Sequence, residues 1–328
     1  LMRFARESNI YTTVRGSVGG SIVAYLTGIT NVNPIEFELP FERFLNPFRP
    51  SAPDIDMDFA DNRRQEVIEY ARNKYGTDKV AQIGTFGTML ARGAVRDVAR
   101  ALGKSYETGD RIAKLIPMGS QGFPMTVDHA MELEPELKNL YDRDAEARQI
   151  LDIAKKLEGT VRHISVHAAG VVIAPKPLIE YVPIQYDPKE NDKLITQYDM
   201  YTVGEDGVGL TKLDFLGIRN LAILENAVHL VKNHRNIDID IEKIPFDDKK
   251  TFTMLAKGET EGLFQLNGSG MTKYLVELKP TTIHDINAMV ALYRPGPINN
   301  IPEYIARKQG RSKIRYFHPK AEGFLAKS

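Results

Sequence analysis

Three aspartates at alternate positions, in Pro53-Asp54-Ile55-Asp56-Met57-Asp58-Phe59, are the residues of this 328-residue chain best placed to do chemistry. Side chains of an extended strand alternate between faces, so Asp54, Asp56 and Asp58 share one face and Ile55, Met57 and Phe59 the other. Carboxylates ~7 Å apart along one face repel, raise one another's pKa and cost free energy unless a cation sits among them. Mg²⁺ takes carboxylate oxygens, waters and substrate phosphates. Two such ions ~3.5–4 Å apart stabilise both the attacking and the leaving oxygen of an in-line phosphoryl displacement. The same Asp-x-Asp-x-Asp spacing opens an EF-hand loop, but that loop needs Gly at its sixth position and Glu at its twelfth. Phe59 and Gln65 stand there instead. The bland alternative is a solvated strand face. Two-metal chemistry needs a further acid, and Lys212-Leu213-Asp214-Phe215 offers one, with Lys212 and Asp214 on one strand face.

A second candidate precedes the aspartates. Arg15-Gly16-Ser17-Val18-Gly19-Gly20-Ser21 lies between a strand-like and a helix-like run. It is neither a P-loop nor G-x-G-x-x-G. Small residues still let backbone amides approach an anion, a following helix N-terminus favours negative charge, and Arg15 adds charge-assisted bonds. Read alone, such a turn is more often only a turn. Ser17 and Ser21 lack a local histidine base and do not read as nucleophiles. His163 and His167, four apart, would share a helical face as zinc ligands, but no third ligand is evident and the following HAAGVVIAP reads as a strand. A structural or template-side histidine fits better.

The elements that must position these groups are legible in outline. Asn9–Val14 reads as a strand, the segment after Ser21 as a helix to Thr27, Pro53–Phe59 as a strand and Asn62–Tyr75 as a helix. Residues 85–165 read as mainly helical, broken by a Gly/Pro-rich loop from Pro117 to Pro124. Ala168–Pro175 and Val208–Phe215 read as strands. From Arg219 the pattern is helical, with Leu221, Leu224, Val228 and Val231 as one apolar stripe. Thr281 or Thr282 before Asp285 reads as the cap of a helix that Arg294-Pro295-Gly296-Pro297 ends. The order is α/β, all-α, β, then all-α, as expected when a helical subdomain is inserted into a sheet-containing one. The scattered methionines read as core or loop fillers.

Composition narrows the class. The length suits about two domains. No cysteine is present, which excludes a disulfide scaffold, a thiolate zinc site and a Cys nucleophile. No apolar run approaches the ~20 residues that cross a bilayer, and the charged N-terminus is unlike a signal peptide. The expectation is a cytoplasmic location, and the opening Leu1 suggests a piece of a longer chain. Lys+Arg and Asp+Glu balance at 43 each, yet the distribution is uneven. Arg92 to Lys114 holds six basic and three acidic residues, and Arg307 to Lys320 six basic and none acidic. Charge runs are usually solvated faces.

The motifs taken in order carry a resemblance. RGSVGGSIVAYLTGIT (15–30), FERFLNP (41–47), PDIDMDF (53–59), TFGTMLARGAVRDVARALG (85–103), HAAGVVIAP (167–175), KLDFLGIRN (212–220), GLFQLNGSGM (262–271) and ALYRPGP (291–297) resemble passages of the bacterial C-family replicative DNA polymerases, at comparable spacing and across nearly the whole chain. The resemblance implies an α+β fold: a polymerase-beta-like mixed-sheet palm in two parts (1–85 and 168–218), an inserted helical thumb (86–167), and a truncated all-α fingers region (219–328). It implies that Asp54, Asp56 and Asp214 bind two Mg²⁺ ions, with Mn²⁺ able to substitute, and that Asp58 stands outside that triad. It places Gly16 and Ser17 against the incoming triphosphate, and Arg15, Arg43, Lys212 and Arg294 around the nucleotide pocket. It gives Arg92, Arg96 and Arg100 to the thumb surface that grips duplex backbone. Asn267-Gly268 replaces the family's usual Glu-Ser, so no carboxylate role is carried over there.

The implied reaction is template-directed DNA synthesis from dNTPs on a primer–template, in chromosome replication. The full-length family member implies a sliding clamp, a clamp loader and a proofreading exonuclease as partners, with no membrane. A two-metal nuclease using the same carboxylates, and a catalytically silent DNA-binding fragment, are the alternatives.

Overall fold

The computed structural model describes residues 1–48, 55–119, 123–190 and 193–322. They form two units, Leu1–Gly217 and Ile218–Ser328.

The first unit is built on a mixed sheet. Its strands are β1 (Thr12–Arg15), β2 (Asp56–Ala60), β3 (Val80–Thr88), β4 (Val161–Ile173), β5 (Ile184–Tyr186), β6 (Leu194–Thr196) and β7 (Lys212–Ile218). They lie side by side in the order β1-β2-β7-β4-β3-β6-β5. Strand β1 is antiparallel to β2, β4 to both β3 and β7, and β5 to β6, while β3 and β6 are parallel. Short helices α1 (Met2–Glu7) and α2 (Ile22–Leu26) flank β1, and α3 (Arg64–Tyr75) follows β2. Val67, Ile68 and Ala71, three and four apart, form the buried face of α3.

Between β3 and β4 the chain leaves the sheet for five helices: α4 (Ala91–Ala101), α5 (Tyr106–Leu115), α6 (Val127–Leu133), α7 (Pro135–Arg143) and α8 (Ala145–Leu157). Their starts follow the usual chemistry. The hydroxyls of Ser105 and Thr126 and the carboxylate of Asp144 accept amide hydrogens of the first turns, and Pro135 opens α7 where no donor is needed. Val95, Val98, Ile112, Ile150 and Leu151 form a core of their own. Helices α4 and α5 touch at Gly109, where a Cβ would stand 2.8 Å from that of Ala99. A separate cluster of Ala81, Ile83, Val172, Leu178, Val182, Val203 and Leu210 fills one face of the sheet, beneath α9 (Met200–Val203). Two cores within one unit fit an excursion from the sheet.

The helical reading of 85–165 was too broad at both ends. Strand β3 runs on to Thr88 and β4 begins at Val161, the two pairing as Thr88↔Val161. Its first half, Val80–Gly84, is buried on both faces, the polar Gln82 included, so it shows no alternation, and Thr85–Thr88, the part read as helical, is too short to set a period by itself. Gly84 marks a close approach: a Cβ there would lie 2.2 Å from the Thr196 carbonyl oxygen of β6.

The second unit is helical: α10 (Arg219–Arg235), α11 (Lys249–Ala256), α12 (Ser269–Leu278), α13 (Ile283–Leu292) and α14 (Ile301–Lys308). Phe252, Leu255, Met271, Leu275, Leu278, Met289, Ile301 and Ile305 form its core. The α10 stripe forms as a helix but none of its residues is buried. The cap of α13 is Thr282, and Asp285 reaches back to the amides of Thr281 (2.8 Å) and Thr282 (3.1 Å). Lys308 of α14 donates to the same carboxylate at 2.5 Å.

Burial alone would push the Asp285 carboxyl up, but the Lys308 ammonium and the two amides outweigh it and hold it below the usual range. A depressed carboxyl contributes stability that is present above its unfolded value of about 3.9 and lost as pH falls through its folded value. Asp285→Asn is therefore expected to destabilise this unit by about 1–3 kcal/mol at neutral pH. Thermal unfolding against pH checks it: the gap between wild type and variant should close in acid, and a gap independent of pH would contradict the linkage.

Candidate active site

The hydrophobic faces of β2 and β7 decide where their carboxylates point. Phe59 and Phe215 are fully buried and meet edge to face, ring centres 5.7 Å apart. The two rings therefore share one side of the sheet. By strand alternation Asp56 and Asp58 of β2, and Lys212 and Asp214 of β7, stand on the other side. A Cβ on Gly217 would come within 3.4 Å of the Asp61 Cα. This contact and the aromatic pair advance together along both segments, so β2 and β7 run the same way. Asp214 thus lies alongside the Asp56–Asp58 stretch on the neighbouring strand. Arg64, at the start of α3, reinforces the junction by donating from Nε to the Phe215 carbonyl at 2.5 Å. Burial pushes its pKa down, and its Nη2 is buried without a hydrogen-bond partner among the described residues.

The three described acids differ in environment. Asp58 is 1% exposed and held by both arms of the Arg15 guanidinium, Nε–Oδ2 at 2.5 Å and Nη2–Oδ1 at 2.9 Å. That hydrogen bonding raises the Arg15 pKa despite partial burial. Its negative charge is thereby already matched within the sheet, so it makes less demand for a cation than an unpaired carboxylate would. Arg15 is the direct cross-strand partner of Asp56 and reaches Asp58 on the diagonal. Asp214 is bound by Lys212, Nζ–Oδ2 at 2.7 Å, while its Oδ1 is buried with no hydrogen-bond partner among the described residues. A buried unsatisfied carboxylate oxygen costs about 1–3 kcal/mol or more. A cation would remove that cost, so the donor set fits a divalent ion. Asp54 lies outside the described residues, and among those described no group of three or more acids or histidines gathers as a metal site.

The glycine loop borders this face. Gly16 has φ of 98°, a conformation that a side chain would strain. Ser17–Gly20 then forms a single 3-10 turn. Gly20 is required by contact: a Cβ would lie 2.8 Å from the Pro40 carbonyl oxygen. That approach brings the 3-10 turn Phe41–Arg43, and with it exposed Arg43, beside the loop. Gly16 is exposed and Ser17 half-buried, so backbone amides are accessible there. Helix α2 is only five residues long and capped by the Ser21 hydroxyl, leaving loop amides and no long helix dipole to face an anion.

The basic residues of α4 are mostly occupied within the bundle. Arg92 donates to the Ile116 carbonyl at 2.6 Å, and Arg96 grips Asp110 at 2.8 Å. Arg100 is 78% exposed and bonded to Asp97, which also holds Arg162 of β4. Of the three, Arg100 is the one that presents its charge outward. Spacing along α4 gave no sign of this for Arg92 and Arg96, because their partners come from α5 and its C-terminal cap, whereas the Asp97 that holds Arg100 lies on α4 itself. Arg294 is exposed just past α13 in the second unit. His163 and His167 lie on β4, not on a helix, and the His167 ring accepts hydrogen bonds from backbone amides.

Comparison with known proteins was made against this geometry. Residues 1–217 match the family model for the bacterial DNA polymerase III alpha NTPase domain, and residues 220–328 that for the bacterial DNA polymerase III alpha subunit finger domain. DNA polymerase III subunit alpha of Thermus aquaticus is 48% identical over 95% of this chain and 25% of its own length. That of Halalkalibacterium halodurans is 49% identical over 99% of this chain and 29% of its own, and that of Bacillus subtilis 46% over 99% and 28%. The chain spans between a quarter and three tenths of the length of these relatives.

Proposed function

Because the chain belongs to the bacterial DNA polymerase III alpha family, we propose that it carries the catalytic centre for template-directed DNA synthesis. In this reading a primer 3′-hydroxyl attacks the α-phosphate of a bound dNTP and pyrophosphate leaves. The observation that carries the reading is the shared sheet face of Asp56 and Asp214, with the buried, unpartnered Oδ1 of Asp214 on it.

Asp56 and Asp214, with Asp54, would hold two divalent cations, Mg²⁺ with Mn²⁺ as substitute. Bound there, such ions acidify an attacking hydroxyl and neutralise a triphosphate and its leaving group. Lys212 orients Asp214 through Oδ2 and leaves Oδ1 free to turn outward. Arg15 keeps Asp58 from competing for the same cations. Gly16 and Ser17 offer amides to the triphosphate, with Arg43 as a further contact to it. Nearly all the catalysis then comes from positioning and electrostatics.

In the same reading the sheet is the palm, the five inserted helices the thumb, and the second unit part of the fingers. Arg100, with Arg92 and Arg96 bracing the helix beneath it, faces duplex backbone, where phosphate contacts are independent of sequence. Primer–template DNA and dNTP are the substrates. The sliding clamp, clamp loader and proofreading exonuclease are partners of the whole protein, in the cytoplasm. Among the described residues no helix is long and apolar enough to cross a membrane.

Primer extension by the full-length protein tests this directly. Incorporation that requires Mg²⁺, template and dNTP is expected. Degradation of DNA in Mg²⁺ without nucleotides would favour a nuclease, and salt-sensitive DNA binding without incorporation a silent binding fragment.

A further inference from the structure

Strand β4 departs from regular pairing beside Asp214. Gln82 of β3 pairs with Val171 and Gly84 with Val166, so four residues of β4, His167 to Gly170, stand opposite Ile83 alone. Within this bulge the chain folds back on the imidazole. His167 Nδ1 accepts from the Gly170 amide at 2.7 Å and lies 3.3 Å from that of Ala169. An Nδ1 that accepts cannot carry the proton, so the neutral ring bears its hydrogen on Nε2. Among the described residues no group takes that Nε2 hydrogen, and Nε2 is not among the buried polar atoms lacking a partner, so it is open to solvent.

The place of the ring follows from Gly170. Gly170 is the direct cross-strand partner of Asp214, and directly opposed residues of antiparallel strands present their side chains on the same face, about 4.5–5.5 Å apart at Cβ. Gly170 has no side chain. A Cβ there would lie 2.8 Å from Ile83 Cδ1 and 2.9 Å from His167 Nδ1, so the Ile83 side chain and the edge of the imidazole share that space. The ring is thus held beside Asp214 on the carboxylate face, with an uncharged N–H donor presented outward. A neutral donor suits a site already rich in cationic groups, because it adds a directed hydrogen bond and no further charge to separate on release.

We propose that His167 is a phosphate-binding residue of this site, donating from Nε2 to a non-bridging phosphate oxygen of the nucleotide or of the primer strand. The proposal rests on the polymerase reading above. His167 contributes to binding and orientation; the reacting hydroxyl proton does not pass to it, since its Nδ1 is already committed to the backbone.

The test uses the full-length protein, with His167→Ala and His167→Gln compared by steady-state single-nucleotide incorporation, primer–template affinity and thermal unfolding. A hydrogen bond to a charged oxygen is worth about 10- to 100-fold. His167→Ala is expected to lose that factor either in KM for dNTP, identifying the triphosphate as the source, or in primer–template Kd, identifying the primer strand. His167→Gln, which keeps an N–H donor, should recover part of the loss with an unchanged melting temperature. Incorporation and primer–template binding within twofold of wild type in His167→Ala would overturn the proposal while leaving the polymerase reading intact. So would a loss that follows a lowered melting temperature and is not recovered by Gln. Absence of incorporation by the wild-type protein itself would instead remove the reading on which the proposal stands.

Discussion

Asp214→Asn in the full-length protein is expected to lower nucleotide incorporation by ~10³-fold or more, about 4 kcal/mol of transition-state stabilisation, while primer–template affinity stays within about twofold. Asn is nearly isosteric, so Phe215 stays packed on Phe59 and β7 keeps its place between β2 and β4. What is lost is the negative charge at the oxygen that has no hydrogen-bond partner among the described residues. Asp56→Asn should behave alike, since Asp56 shares the face and faces the same charge demand. Single-turnover incorporation with saturating primer–template separates this loss from weakened DNA binding. Activity retained by either variant would end the assignment of the carboxylate pair.

Asp58→Ala should do the opposite, lowering stability far more than chemistry. Its carboxylate is 1% exposed and fully engaged by Arg15, whose own side chain is 37% exposed. Breaking a buried ion pair costs about 3–5 kcal/mol; because Arg15 can turn toward water, about 2–3 kcal/mol is expected here. The measurement is the fall in unfolding temperature, paired with incorporation at a temperature where both proteins are folded. At saturating dNTP, kcat within about tenfold of wild type is expected, a loss of less than about 1.4 kcal/mol. A loss as large as that of Asp214→Asn would mean that Asp58 also holds a cation, and that the Arg15 pair opens when substrate binds.

These contrasting outcomes show what the sequence could and could not convey. Alternation gave a strand where β2 runs, with Asp56 and Asp58 on one face, because one buried face imposes a period of two; Pro53 and Asp54 lie outside the described residues. Asp58 has the same residue type and parity as Asp56, yet it is closed off by an arginine 43 positions earlier, and no local pattern encodes that. The insertion of helices into a sheet was visible from the order of periods. Strand β3 was not, since its buried half, Gln82 included, carries no alternation and Thr85–Thr88 is too short to set a period. On α4 the phosphate-contact role of Arg92, Arg96 and Arg100 came from the family resemblance and not from their spacing. Arg92 and Arg96 tie α4 to α5 and its C-terminal cap, contacts that only the three-dimensional partners Asp110 and the Ile116 carbonyl reveal. His167 was singled out for its distance from His163 in helical terms, whereas its position depends on a strand bulge and on the missing side chain of Gly170.

The gathering of distant acids by divalent cations is tested most directly by a crystal structure of the full-length protein with primer–template, a non-hydrolysable dNTP and Mn²⁺, read by anomalous scattering. Mn²⁺ peaks coordinated jointly by Asp214 and Asp56, with Asp54 completing the set and Asp58 still on Arg15, are the expected result. Peaks that never touch Asp214, with its carboxyl beyond reach of Asp56 while nucleotide is bound, would contradict it.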